Sequence, residues 1–274
     1  RDAQESRGLG DVYKRQRPLR SINRKDRTIE VEGGSITIAE FSPKTIQPGC
    51  PAVVYFHGGG YSAMSIESCR SLCEYFAKEL SAKVFAVDYR LAPEHKYPTQ
   101  LNDGNAAFDW VLANASELEI DPKRISVAGD SAGGNLTAAL CLKRRDTGAV
   151  LPKAQMMVYP FVDYTLSYPS MDELGEGHII TKKHLEWFRS NFLPDEALVK
   201  DPYVSPLFAP DLSGLPPAVV VTAGFDLLRD EAKAYADRLS EAGVITQYKE
   251  FSSDGHGFMY ADTTASVRAA NANI

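Results

Sequence analysis

Cysteine is scarce in this chain and is not spaced for its usual structural roles. The 274 residues hold four, Cys50, Cys69, Cys73 and Cys141. None forms a C-x-x-C pair, so no zinc knuckle is encoded, and a chain of this length needs no disulfide framework. Cys69 and Cys73 stand one helical turn apart and read as buried, reduced thiols of a cytoplasmic enzyme, an assignment of compartment that rests on this usage alone. Positive charge is also short. The 30 Lys and Arg against 36 Asp and Glu leave a net charge of −6, which argues against a nucleic-acid partner and against a polybasic membrane patch. No apolar run approaches the ~20 residues a membrane-spanning helix needs. No metal and no organic cofactor is implied. What is present is enough apolar material, 44% of residues, for a single large α/β core.

Glycine is where the chain becomes specific. Gly129-Asp130-Ser131-Ala132-Gly133 reads G-x-S-x-G. The β-branched run Arg124 to Ala128 precedes it, and an apolar-periodic stretch with Leu136, Ala139, Leu140 and Leu142 follows. A serine on such a strand-to-helix turn has a strained backbone and an Oγ thrust outward at a helix N-terminus. Upstream, His57-Gly58-Gly59-Gly60 follows the strand-like Ala52 to Phe56. Three successive glycines lose much chain entropy on folding, more than a plain turn requires. They suit a loop whose bare N–H groups must approach a developing oxyanion. The expected donors are the N–H groups of Gly59, Gly60 and Ala132.

A nucleophilic serine requires a base, and the base an orienting acid. Of five histidines, His57 belongs to the glycine loop, where it more plausibly props that loop. His95 lies in a turn, and His178 and His184 fall in a long insertion. His256, between Gly255 and Gly257 after the strand-like Ile245 to Phe251, is the candidate base. Asp226, at the carboxyl end of the buried run Ala218 to Thr222, is the candidate acid, with helix N-cap as its competing role. Asp230 and Glu231 read as helix-face charges and Asp254 as a loop residue. The chain order Ser131, Asp226, His256 is that of α/β-hydrolases.

These motifs, with Asp88-Tyr89-Arg90-Leu91-Ala92-Pro93-Glu94 and Asp201-Pro202-Tyr203-Val204-Ser205-Pro206-Leu207, resemble the hormone-sensitive-lipase family of α/β-hydrolase carboxylesterases over about residues 50–262. The resemblance implies a mostly parallel central sheet flanked by helices, with a small helical cap. It implies Ser131, Asp226 and His256 as the catalytic triad and the glycine loop as the oxyanion hole. Leu227 departs from the proline usual in the family after the acid, which should alter loop stiffness and leave the acid in place. The implied reaction is hydrolysis of small-molecule, short-chain acyl esters through an acyl-enzyme. Deacetylase, arylformamidase and lactonase chemistry stay open on the same fold, as does a non-catalytic binding role like that of plant gibberellin receptors. Those receptors have lost the histidine that is present here as His256. A homodimer through the last strand and its helix is a further expectation of the resemblance.

Strands and helices alternate in the βα order of a parallel sheet. Thr28 to Val31 and Ser35 to Phe41 form an edge hairpin. Core strands are expected near 52–56, 83–88, 124–128, 154–159, 217–222 and 245–250, and helices near 66–80, 99–114, 131–145 and 228–242. Residues 161–212 make a connection long enough to be a cap, with a helical stretch near Lys182–Phe192. Tyr61, Trp187 and Phe188 are the expected substrate contacts, although helix-face core packing competes for the cap aromatics. Residues 1–16 resemble the translation of a sequencing adapter and are set aside, leaving an α/β-hydrolase domain over 17–274. Both termini are expected to be truncated, with cap-completing helices missing at the start.

Overall fold

A computed structural model of the chain describes residues 19–260. The expectation for residues 1–16 lies outside the described residues, as does the expected truncation at the carboxyl end. An eight-stranded sheet runs β1 (Ile22–Val31), β2 (Gly34–Pro43), β3 (Cys50–Phe56), β4 (Lys83–Asp88), β5 (Ile120–Asp130), β6 (Gln155–Val158), β7 (Ala218–Phe225) and β8 (Thr246–Gly255), in spatial order β1-β2-β4-β3-β5-β6-β7-β8. From β4 to β8 every neighbouring pair is parallel, and β2 joins β4 antiparallel. The hairpin turns at Gly33, whose φ of 75° suits glycine. Both hairpin strands are longer than the sequence suggests.

Residue type explains the order. The middle strands β3 and β4 are apolar on both faces and buried throughout all but one residue each, as strands with helices on both sides must be. The edge strands β1 and β8 alternate between half-buried and exposed residues. Side chains from alternate positions feed two cores. Val54, Phe56, Phe85 and Val127 pack with α2 (Thr99–Ala113), α3 (Ala132–Asp146) and α6 (Arg229–Glu241). Val53, Tyr55, Val84 and Ala128 pack with α1 (Ile66–Glu79) and the terminal turn Phe258–Tyr260. Cys69 and Cys73 lie buried in α1 with sulfurs 3.8 Å apart, and all four cysteines are free and buried.

The insertion carries two helices, α4 (Pro169–Glu173) and α5 (Lys182–Phe192), and 3₁₀ turns at Glu196–Lys200 and Pro206–Phe208. Helix α5 spans the stretch expected from sequence, whereas α4, only five residues long, is too short for periodicity to announce. Thr181 caps α5 through a reciprocal pair of bonds with His184. The return half of the insertion is core rather than lid, with Val204, Leu207, Ala209 and Leu212 all buried.

Candidate active site

Four chain reversals converge at the carboxyl ends of the parallel strands, where open α/β sheets bind their ligands. The first is the turn from β5 into α3. Ser131 sits there at φ 54°, ψ −118°, a conformation a β-carbon-bearing residue adopts only when its surroundings impose it. Its N–H donates to Val158 O at 2.9 Å, and its carbonyl accepts from Asn135 N at 3.0 Å and Phe161 N at 3.3 Å. The flanking glycines are required by contact. A Cβ on Gly129 would lie 2.2 Å from Gly133 O, and one on Gly133 would lie 2.0 Å from Phe56 O. Ser131 is 8% exposed.

The second reversal is the glycine loop after β3. Gly58 donates its N–H to Asp130 Oδ1 at 3.1 Å, while Gly59 and Gly60 take φ values of 101° and 60°. Asp130 also accepts from the hydroxyls of Tyr55 at 2.6 Å and Tyr260 at 2.8 Å. Burial raises its carboxyl pKa, with those hydroxyls and the nearby His256 pulling the other way. Gly58 thus spends its N–H within the protein, and Ala132 opens α3, where first-turn N–H groups need partners. His57 is buried against Tyr89, rings stacked at 4.3 Å, with Nδ1 donating to Gly58 O at 2.7 Å. It props the loop, and burial lowers its pKa.

The third and fourth reversals follow β7 and β8. His256 Nε2 lies 3.0 Å from Ser131 Oγ, and its Nδ1 lies 2.7 Å from Asp226 Oδ2. Asp226 is 1% exposed, and its other oxygen accepts from Leu228 N at 2.9 Å. The competing helix N-cap role goes to Leu228, which caps α6 without a side-chain bond, and Asp226 Oδ1 closes the turn ahead of that helix. The structure brings Ser131, His256 and Asp226 into a single hydrogen-bonded line. It leaves His95 exposed and commits His184 to capping α5.

Two expectations need correction. Tyr61, expected to touch substrate, is 1% exposed. Its ring stacks on Phe192 at 4.3 Å and its hydroxyl donates to Asn135 Oδ1 at 2.7 Å, so it supports the wall from behind. Glu231, expected on a helix surface, is fully buried and accepts from Val162 N at 2.7 Å and Asp163 N at 3.0 Å. Phe188 is half-buried with its ring against Gly60, where an added Cβ would come within 2.2 Å of it. Trp187 is 52% exposed.

Asn135 is a hub that sequence reasoning passed over. Besides accepting from Tyr61, its amide donates to Phe161 O at 2.6 Å and Val204 O at 2.8 Å. Its place on a helix of small and apolar residues, α3, was the available signal.

Among the described residues no helix is long and apolar enough to cross a membrane. A family model described as the alpha/beta hydrolase fold matches residues 53–260. Carboxylic ester hydrolase LipN of Mycobacterium tuberculosis is 37% identical over 93% of this chain and 69% of its own length. Ethyl acetate hydrolase of Pseudomonas putida is 35% identical over 83% of this chain and 73% of its own. Among solved structures, the carboxylesterase EstE1 from a metagenomic library superposes with a TM-score of 0.90 at 39% identity, covering 98% of this chain and 90% of that one. A thermostable esterase from Pseudomonas putida ECU1011 gives 0.94 at 32% identity over 98% of this chain and 87% of that one. The chain belongs to the α/β-hydrolase family, in the hormone-sensitive-lipase branch whose carboxylic ester hydrolases it matches over most of its length.

Proposed function

We propose that this chain is a serine carboxylesterase that hydrolyses short-chain acyl esters through an acyl-enzyme, with Ser131, His256 and Asp226 as its triad. The observation that carries the reading is the unbroken line Asp226–His256–Ser131, with spacings of 2.7 and 3.0 Å, ending on a serine at φ 54°. His256 takes the Ser131 proton as Oγ attacks the ester carbonyl. Asp226 fixes the tautomer with the proton on Nδ1 and stabilises the imidazolium. The oxyanion forms against the N–H groups of Gly59, Gly60 and Ala132, which are preorganised and need no rearrangement as charge develops. The amino end of α3 adds a favourable dipole at the same point. The alcohol leaves with the proton from His256, and water repeats the sequence in reverse.

Preference for short chains follows from Phe188, whose ring occupies the space beside Gly60 and would meet the ester group bound there. Relatives named for ethyl acetate and arylester hydrolysis are consistent with that size. The test is hydrolysis of p-nitrophenyl esters from acetate to palmitate, with Ser131→Ala in parallel. Turnover greatest at short chains and lost in the variant is the expected result. Turnover that survives Ser131→Ala, or that rises toward palmitate, overturns the nucleophile or the size limit respectively.

A further inference from the structure

The carboxyl of Glu231 has no part in the proton transfers described above, yet it is buried five residues beyond the acid, between two parts of the site. Its Oε1 takes the N–H groups of Val162 and Asp163, near the start of the insertion. The preceding N–H, of Phe161, goes to the carbonyl of Ser131 at 3.3 Å. One short stretch of backbone is thus bonded to the nucleophile at one residue and to Glu231 at the next two. A second tie lies beside it. Ser170 Oγ donates to Leu227 O at 2.7 Å, directly after the acid, and Ser170 N donates to Asp230 Oδ2 at 3.0 Å. The acid's own bonds, Asp226 Oδ1 with Leu228 N and Asp226 O with Arg229 N, only shape its turn. They do not fix where that turn sits relative to Ser131, which lies two strands away.

We propose that Glu231 is a positioning residue that locks the acid-bearing turn to the backbone behind the nucleophile, with Ser170 as its second point of attachment. The lock sets the reach from Asp226 to His256 and on to Ser131, so loosening it lowers catalysis without removing any reacting group. The proposal rests on the serine-esterase reading.

The lock needs no charge on the carboxyl. Among the described residues Glu231 Oε2 has no hydrogen-bond partner. The groups around it are the carboxylates of Asp163 and Asp226 and the phenols of Tyr164 and Tyr168, none of them a cation. Burial first, and then the charge of Asp163, push the Glu231 carboxyl well above the usual carboxylate range, although the two N–H groups pull it down. A neutral amide can therefore take its place, with the carbonyl oxygen accepting the same two N–H groups.

The experiment compares Glu231→Ala, Glu231→Gln and Ser170→Ala with the parent chain. Active sites are counted by fluorophosphonate labelling, and kcat, KM and the pH profile of kcat/KM are measured on p-nitrophenyl acetate. Glu231→Ala should lower kcat per labelled site by about 10- to 100-fold, the scale of a sub-ångström to 1 Å misplacement, with KM nearly unchanged and the acid limb of the profile displaced. Glu231→Gln should restore most of the loss. Ser170→Ala should show a smaller fall and a displacement of the same sign. Unchanged kcat per labelled site and an unchanged profile in Ser170→Ala and in the Glu231→Ala that folds, with any loss confined to stability, would assign a structural role only and overturn the proposal. A Glu231→Gln variant as impaired as Glu231→Ala would overturn the neutral lock. Failure of the parent chain to label at Ser131 would instead count against the serine-esterase reading.

Discussion

Removing the Asn135 side chain should be among the most damaging single changes outside the triad. In Asn135→Ala three buried groups lose their partners, the Tyr61 hydroxyl and the carbonyls of Phe161 and Val204, at distances of 2.7, 2.6 and 2.8 Å. Each orphaned buried group costs about 1–3 kcal/mol. A water entering the vacated space would recover part of that, since the site is polar and offers three partners. The expected net loss is about 3–5 kcal/mol, within the range kept for broken buried networks. For a domain of this size it lowers Tm by roughly 10–15 °C. Urea denaturation followed by fluorescence, with the slope m compared between variants, gives the number directly. Asn135→Asp sharpens the test. Its second oxygen would face two carbonyls, so the carboxyl must be protonated to donate, and its folded pKa must lie above the unfolded one. The variant should then lose ground as pH rises from acid toward neutral. Kinetics should follow, because Tyr61 adjoins Gly60 and its release loosens the expected oxyanion loop. A loss below about 1 kcal/mol at unchanged m would show that Asn135 is not the tie its three bonds describe.

Glycine substitutions should separate rigid from yielding neighbours. Gly133→Ala meets the backbone oxygen of Phe56 at 2.0 Å and should prevent folding or inactivate the enzyme, whereas Gly60→Ala meets the ring of Phe188 at 2.2 Å. Gly60→Ala should be partly rescued by Phe188→Ala, with the left-handed backbone at Gly60 setting the residue of the penalty; expression yield and kcat in the single and double variants decide it. Glu231→Gln should gain stability relative to the parent as pH rises. The folded carboxyl binds its proton more tightly than the unfolded one, so the parent loses stability between the two pKa values and the amide does not; paired denaturation curves at acid and neutral pH check the sign. Asp226→Asn should cut kcat by about 10⁴-fold, as an amide there holds the wrong tautomer, while Asp230→Asn and Asp254→Asn retain most activity. The reverse pattern in a kcat assay would place the acid elsewhere.

The hydrogen-bonded line proposed as the triad was legible because each member follows a strand that sequence could place, and because chain order restricts the choice. Ser131, Asp226 and His256 needed no long-range information. Glu231 was misread because a carboxylate in a first helical turn is ordinarily solvated. The correcting signal was there, since Glu231, Tyr235 and Leu239 fall four apart on the stripe that α6 buries. Tyr61 was misread for a different reason. Its partner Asn135 lies 74 residues away, and no local pattern announces a bond of that span. Strand β5 begins at Ile120 rather than near Arg124, because its pairing with β3 starts at Cys50 and resumes past an irregularity between Cys50 and Ala52.

The route of the insertion bears on how this scaffold could diversify. Strands β6 and β7 are parallel neighbours, with Gln155 opposite Ala218 and Val158 opposite Val221. The chain leaves one at its carboxyl end and enters the other at its amino end, so it must travel the full height of the sheet. Its first half carries α5 with Phe188 at the site, and its second half fills the core with Val204, Leu207 and Leu212. Recombination with a homologue therefore has a natural crossover pair, after the Glu231-bound Asp163 and before Asp201. An exchange between those points replaces α4 and α5 as one inherited block, while Ser131, Asp226 and His256, at strand ends outside it, pass unchanged to the descendant.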